Sequence, residues 1–373
     1  MKGRHIAIVY EKLSTRGGLE RYVLEFARRS MASGAHVTFV TSQIERSLDL
    51  GGAKLVRLPR SRIGLLRLLA FDRDSASAAR EVGADAILGF GQTTNQDLHR
   101  AGGGCHAVYS KLLPPMKRLG IKNRIQLALE RDLYCGDTTK HFVVNSSLVR
   151  RQILESYGTD PSRISVIHTP VDTNHYRPSQ TGEQRRVVRS HLGIAPEEPV
   201  FLFVSLNHKR KGLHPLLRAW SSVPATLLIL GDELEISHRR LLTTPALRKN
   251  VVYGGNARDL APYYCAADFF VHPTIYDACA NTVLQAMSSG LVSIVSSKDG
   301  ATDHIDDGAT GYLLVDPTDP AEIRDTCLRA LALDADESAA IREAARERIL
   351  PLTWQRHLEE WHGLINSVLP SAG

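Results

Sequence analysis

The sequence predicts an α/β chain of two doubly wound, parallel-sheet domains, and three observations carry that prediction. Short apolar runs alternate with amphipathic segments in two successive series. The runs are apolar at consecutive positions, as strands covered by helices on both faces must be. A polar stretch with Pro178 and Gly182 separates the two series.

The first series opens with HIAIVY (5–10), a buried-strand run, followed by a loop closed by Gly17 and Gly18. LERYVLEFARRSMASG then places Leu19, Val23, Phe26 and Ala27 at helical spacing and stops at Gly34. HVTFVTS (36–42) and AKLVRLP (53–59) read as strands, and Leu65–Val82 as a basic helix. DAILGFG (85–91), HFVVNS (141–146) and RISVIH (163–168) complete the series. The linker is expected over 172–187. The second series has VFLFVS (200–205), ATLLILG (225–231), NVVYGG (250–255), DFFVHP (268–273) and VSIVSS (292–297), with helices between them. The tail ERILPLTWQRHLEEWHGLINSVL reads as a helix interrupted by proline. The domains are expected at 1–178 and 188–352, with a terminal helix over 353–373.

Bulk composition narrows the class. The 373 residues suffice for two domains, and 43% hydrophobic with 23% charged residues is ordinary globular composition. No apolar run reaches the roughly 18–20 residues needed to span a bilayer. MKGRHIAIVYEK has too short an apolar core for a signal peptide, so a cytoplasmic protein is expected. Cys105, Cys135, Cys265, Cys279 and Cys327 have no CxxC spacing and read as reduced thiols. The net charge of +6 favours an anionic partner. Nucleic acid is disfavoured, because no recognition-helix pattern is present and only 6% of residues are aromatic.

Four segments carry candidate chemistry. In YDACANTVLQAMSSG (276–290), Asp277 precedes a helix whose start includes Ala280, Asn281 and Thr282, with Gln285 further along. Unpaired N–H groups and the positive end of the helix dipole favour an anion there. In SLNHKRKG (205–212), Arg210 and Lys211 precede a helix beginning near Gly212, which suits a diphosphate. The Gly17–Gly18 loop lets backbone approach a phosphate or a sugar closely. It lacks the Gly-x-Gly-x-x-Gly of a dinucleotide site, and the second strand exits without an acid. The loop 89–109 offers Asp97, His99 and His106 beside a glycine-rich backbone.

A fifth segment concerns location. Over 109–131, Lys111, Lys117, Arg118, Lys122, Arg124 and Arg131 are opposed by Glu130 alone, and Leu112, Leu113, Met116, Leu119, Ile121, Ile125 and Leu127 are interleaved. Such a mixture either lies on an anionic membrane or is the basic outer face of an ordinary helix pair.

The segment 268–314 resembles the donor-site signature of retaining GT-B glycosyltransferases of family 4. That signature has two glutamates with seven residues between them, and here Asp277 and Gln285 keep the spacing with both residue types changed. GGLER resembles the family's Gly-Gly loop, Lys211–Gly212 its Lys-Gly, and KDGATDHI a later segment in which Asp303 takes the place of a Glu. The adjacent Arg-Lys-Gly resembles lipopolysaccharide-core glucosyltransferases in particular, as do the loop 89–109 and the basic stretch, which docks those enzymes to the membrane.

The resemblance implies a GT-B fold: two Rossmann-like domains facing a central cleft, the C-terminal helix crossing back to the first. It implies retaining transfer of a hexose from a nucleotide diphosphate sugar, UDP-linked in the first instance, to a glycolipid or lipopolysaccharide-core acceptor at the inner membrane face. Arg210, Lys211 and Asp97 would be catalytic. Gly17, Gly18, Asp277, Ala280, Asn281, Thr282 and Gln285 would bind the donor, and His99 and His106 would lie on the acceptor side. No metal or other cofactor is implied. A catalytically weakened binding protein and a GT-B sugar-nucleotide epimerase are the alternatives.

Overall fold

The computed structural model describes residues 3–61, 66–179 and 181–369. Its contacts divide the chain into two compact units, Met1–His168 with Gln355–Gly373, and Thr169–Trp354.

The first unit runs β1 (His5–Val9), β2 (Lys12–Leu13), α1 (Gly18–Ala32), β3 (His36–Thr41), β4 (Gln43–Ile44), β5 (Lys54–Arg57), α2 (Arg67–Glu81), β6 (Ala86–Gly89) and β7 (Leu98–Arg100). It continues through α3 (His106–Ser110), α4 (Pro115–Arg118), α5 (Ile121–Cys135), β8 (His141–Val144), α6 (Ser147–Tyr157) and β9 (Ile164–Val166). Seven strands form a parallel sheet in the order β5-β3-β1-β6-β7-β8-β9, and β2 pairs with β4 separately. The order reverses between β1 and β6, so the loop after β1 leaves at a switch point. Ile6, Ala7 and Ile8 in β1 are fully buried, as its continuous apolar run requires.

The expected helix start at Leu65 lies outside the described residues. The three-residue β7 went unread because its sequence, LHR, is polar and follows a Gly-rich loop. Its residues are nevertheless buried between β6 and β8.

The second unit runs α7 (Glu183–Leu192), β10 (Val200–Ser205), α8 (Leu213–Trp220), β11 (Thr226–Gly231), α9 (Ile236–Leu241), α10 (Pro245–Asn250), β12 (Val251–Gly255) and α11 (Ala261–Ala266). It continues through β13 (Phe269–His272), α12 (Asn281–Ser288), β14 (Val292–Ser296), β15 (Tyr312–Leu314), α13 (Pro320–Leu331) and α14 (Ala335–Ile349). Its parallel sheet has the order β12-β11-β10-β13-β14-β15, with the reversal between β10 and β13. The loops leaving these two adjacent strands therefore emerge side by side.

Helix α7 begins inside the polar stretch expected to be linker. It is anchored by Arg189, whose side chain is 2% exposed. Arg189 pairs with Asp268 at 2.8 Å and donates to the carbonyls of Ala195, Pro196, Glu198 and Ala266. The polar composition of this stretch conceals the helix, whose one buried side chain is a guanidinium.

The tail bends at Pro351, and α15 (Trp354–Val368) packs into the first unit, as expected of a helix that crosses back. Trp361 is fully buried against Phe26 and Phe90. The Nδ1–H of His357 donates to the His168 carbonyl at 2.9 Å, leaving Nε2 to accept from the Tyr22 hydroxyl at 2.6 Å. Burial drives the His357 imidazole down to about 3, so this contact stays neutral. No helix among the described residues is long and apolar enough to cross a membrane.

Candidate donor site in the second unit

The loop after β10 is held in one shape by its own short contacts. Asn207 accepts the Arg210 N–H at its side chain, 3.1 Å away, and the Lys211 N–H at its carbonyl, 3.0 Å away. Gly212 then caps α8 with φ +78, and a Cβ there would fall 1.9 Å from the Pro273 carbonyl oxygen. Only glycine admits both that backbone and that approach. The Arg210 carbonyl accepts from the Ile275 N–H at 2.9 Å and the Thr274 hydroxyl at 3.1 Å, which ties this loop to the one leaving β13.

The loop after β13 is tied in turn to the loop after β14. The Asp277 N–H donates to the Lys298 carbonyl, and the Gly300 N–H to the Asp277 carbonyl, at 3.0 and 3.1 Å. Asp299 closes the arrangement. Its Oδ1 accepts from the N–H groups of Ala280 and Ala301, at 3.0 and 2.9 Å. Ala280 thus spends its amide on Asp299. The amides of Asn281 and Thr282, which open α12, carry no hydrogen bond among the described residues and remain available to an anion.

Lys211 and Asp277 meet where these loops converge. The ammonium lies against Asp277 Oδ2 and 3.2 Å from His272 Nε2. Asp299 Oδ2 has no hydrogen-bond partner among the described residues and stands 3.5 Å from the same His272 nitrogen. His272 and Asp299 are fully buried, whereas Lys211 and Asp277 remain 12% and 13% exposed.

Desolvation dominates the charges here. It holds the His272 imidazole well below its usual range, helped by Lys211 and Arg210, so the ring is neutral and accepts from Lys211. It raises the Asp299 carboxyl, with Lys211 opposing. It draws Lys211 down to about 7, with Asp299 pulling upward and Arg210 downward. One ligand atom each from His272, Asp277 and Asp299 lies within 4.8 Å of the others, a set that can hold a cation. The cation standing among them is the Lys211 ammonium.

Gln285 lies further along α12, where its Oε1 accepts from the Tyr264 hydroxyl at 3.2 Å. Tyr264 is fully buried and also faces the Thr282 carbonyl at 3.1 Å. Arg210, Lys211, Asp277, Ala280, Asn281, Thr282 and Gln285 therefore belong to one neighbourhood. Sequence reasoning missed its floor, His272 and Asp299. The available signals were a histidine ending a buried run and an acid at the head of a Gly-containing turn.

The residues expected in the first unit fare differently. Gly17 caps α1, and a Cβ there would meet the Glu20 carboxylate at 1.9 Å, so this helix start already faces an acid of its own chain. Asp97 is corrected. It precedes β7, where its carboxylate accepts the Ile87 N–H at 2.9 Å and pairs with Lys140 at 3.1 Å. That is the entry end of β7, whereas ligands of such sheets gather at the strand exits.

His99 is corrected too. It is 4% exposed, lies edge-on to Tyr134, and burial lowers it to about 3, so it is a core imidazole. His106 uses Nε2 to contact the Asn123 side chain at 2.8 Å, and Asn123 donates to the Arg118 carbonyl. The ring fastens α3 to the start of α5.

The basic stretch is open to solvent. Lys111, Lys117, Arg118, Lys122, Arg124 and Arg131 are exposed. So are Leu112, Met116, Leu119 and Ile121, with Met116 at 87% and Leu119 at 74%. Glu130 is turned inward, where it accepts from the N–H groups of His106 and Ala107 and the hydroxyl of Tyr157. The one acid of the stretch does not offset the surface charge.

Comparison with known proteins places this geometry in context. The family described as Glycosyltransferase Family 4 matches residues 16–175, and Glycosyl transferases group 1 matches residues 198–332. The chain is 23% identical over 326 residues to the lipopolysaccharide glucosyltransferase WaaG of Escherichia coli (strain K12), covering 84% of this chain and 86% of that protein. The crystal structure of WaaG matches with a TM-score of 0.82 at 22% identity, over 98% of this chain and 100% of that one. Anabaena HepE in complex with UDP-glucose matches with a TM-score of 0.77 at 16% identity, over 98% and 100% of the two chains.

Proposed function

We propose, from the premise that the chain belongs to the group 1, family 4 glycosyltransferases, that it transfers a hexose from a UDP-sugar to a glycolipid or lipopolysaccharide-core acceptor. The observation that carries this reading is the convergence of Lys211 and Arg210 with Asp277 at the start of α12. Cations and helix-start amides suit a diphosphate, and a carboxylate suits sugar hydroxyls. The UDP-glucose complex of HepE supports the choice of nucleotide, and the similarity to WaaG supports the class of acceptor.

The reaction breaks the bond from the sugar C1 to the β-phosphate oxygen. It forms one from the acceptor oxygen to C1 on the same face, through an oxocarbenium-like transition state. The acceptor proton passes to the departing diphosphate. Arg210 and Lys211, with the amides of Asn281 and Thr282, stabilise the charge that develops there. Gln285 holds the ribose. No residue of the first unit is required as a base in this scheme, in keeping with Asp97 being paired with Lys140 at the entry end of β7 and His99 being buried in the core. The exposed basic and apolar side chains of 109–131 seat the enzyme on an anionic membrane face, where its acceptor resides.

The test is a thermal-shift panel of UDP-, GDP- and ADP-sugars, followed by transfer assays with the best binder and lipopolysaccharide-core acceptors. A ligand at 100 times its Kd adds about 2.7 kcal/mol, enough for a clear shift. A UDP-sugar should shift the melt and be consumed only with acceptor present. Stabilisation by none of the three classes overturns the donor assignment.

A further inference from the structure

We propose that the ion pair between Lys211 and Asp277 selects for sugar nucleotides over bare nucleoside diphosphates, an inference that rests on the donor-site reading above. That reading gives the two residues different ends of one ligand, Lys211 the diphosphate and Asp277 the sugar hydroxyls. Without ligand they satisfy each other. Both side chains are nearly nine-tenths buried, so neither charge can be left unpaired without penalty. Asp299 and His272 behind them are closed to solvent, so a ligand meets the pair only from its partly exposed side.

The consequences differ for two ligands that share a diphosphate. UDP draws Lys211 away from Asp277 and leaves a carboxylate unpartnered beside its own phosphates. UDP-glucose does the same, but its hydroxyls donate to Asp277 and replace the lost ammonium. The intact donor exchanges one ion pair for contacts at both residues, and the bare nucleotide for contacts at only one. After transfer the sugar has left, Asp277 again competes for Lys211, and the spent nucleotide is displaced.

Calorimetry with UDP, UDP-glucose and pyrophosphate tests this on the wild type, Asp277→Asn and Asp277→Ala, with melting curves to verify folding. The wild type should bind UDP-glucose more tightly than UDP. In Asp277→Asn, UDP and pyrophosphate should both bind about tenfold more tightly than in the wild type, while UDP-glucose gains nothing. If Asp277→Asn does not fold, Asp277→Ala carries the same expectation. Unchanged or weaker binding of UDP and pyrophosphate by the folded variant overturns the proposal.

Pyrophosphate has neither base nor sugar, so it separates the two readings. If the wild type binds pyrophosphate but neither uridine ligand, the choice of nucleotide has failed. The pyrophosphate comparison then decides the ion-pair exchange by itself. Failure of all three ligands to bind the wild type overturns both.

Discussion

The Lys211 ammonium lies against the Asp277 carboxylate, although the two residues leave different strands and are separated in sequence by β11, β12 and β13. The meeting follows from sheet order. Strand β10 neighbours β13, the chain reverses direction across the sheet between them, and their exit loops have nowhere to go but beside each other.

Replacing Lys211 by alanine removes a cation from the leaving-group side of the site. Turnover should fall about 100-fold or more, the order expected for one preorganised charge stabiliser. Single-turnover kinetics with saturating UDP-glucose checks this. A near-normal rate would take Lys211 out of the chemistry.

Donor binding should depend on pH through the same residue. Burial draws the Lys211 ammonium down to about 7, and in the proposed function its protonated form holds the diphosphate. Below 7 the proton is already present and affinity is flat. Above 7 binding must recover a proton, so the UDP-glucose Kd should rise by up to about tenfold per pH unit. Calorimetry near pH 8 in two buffers of different ionisation enthalpy should register proton uptake. The folded value lies below the usual lysine value, so native stability should rise with pH between the two, and Lys211→Met should abolish that slope. Donor binding that tightens from pH 7 to 9 contradicts the assignment.

Gln285→Glu should tighten UDP-glucose binding. Gln285 now offers an amide oxygen to Tyr264, and a carboxylate could keep that bond while a second charged oxygen faces the ribose. A gain of about 1–2 kcal/mol is expected. Weaker binding by the variant would mean that Gln285 serves another group of the nucleotide.

The exposed face of 109–131 should bind anionic vesicles reversibly. Each near-surface cation contributes about 1 kcal/mol, screened over roughly 8–10 Å. Met116 and Leu119 should add a part that salt does not remove. Co-sedimentation of the wild type should exceed that of a variant with Lys117, Arg118, Lys122 and Arg124 changed to Ser. Equal sedimentation returns the stretch to an ordinary solvated surface.

Arg189→Ala should destabilise the second unit by about 3–5 kcal/mol, because it leaves Asp268 partly buried without its innermost partner and several carbonyls unpaired. Hydrogen exchange of the second sheet's amides should accelerate accordingly. A loss below about 1 kcal/mol would show that Arg185, which also pairs with Asp268, suffices.

Sequence by itself determined the longer apolar strands, the glycine-capped loops and the helix start that follows Asp277, because these depend on local rules, whereas the short strands β2, β4, β7 and β15 escaped it. A continuous apolar run such as VFLFVS has one low-energy fate, and a helix start exposes its amides whatever surrounds it. Tertiary structure alone decided which charged residues serve the site. Asp97 and His99 look like loop chemistry in sequence, yet one caps a strand amide and the other is sealed in the core. His272 and Asp299 look like strand and turn residues, yet they form the floor beneath Lys211. A side chain's charge state and availability depend on burial and on partners distant in sequence, and neither is set by its neighbours along the chain.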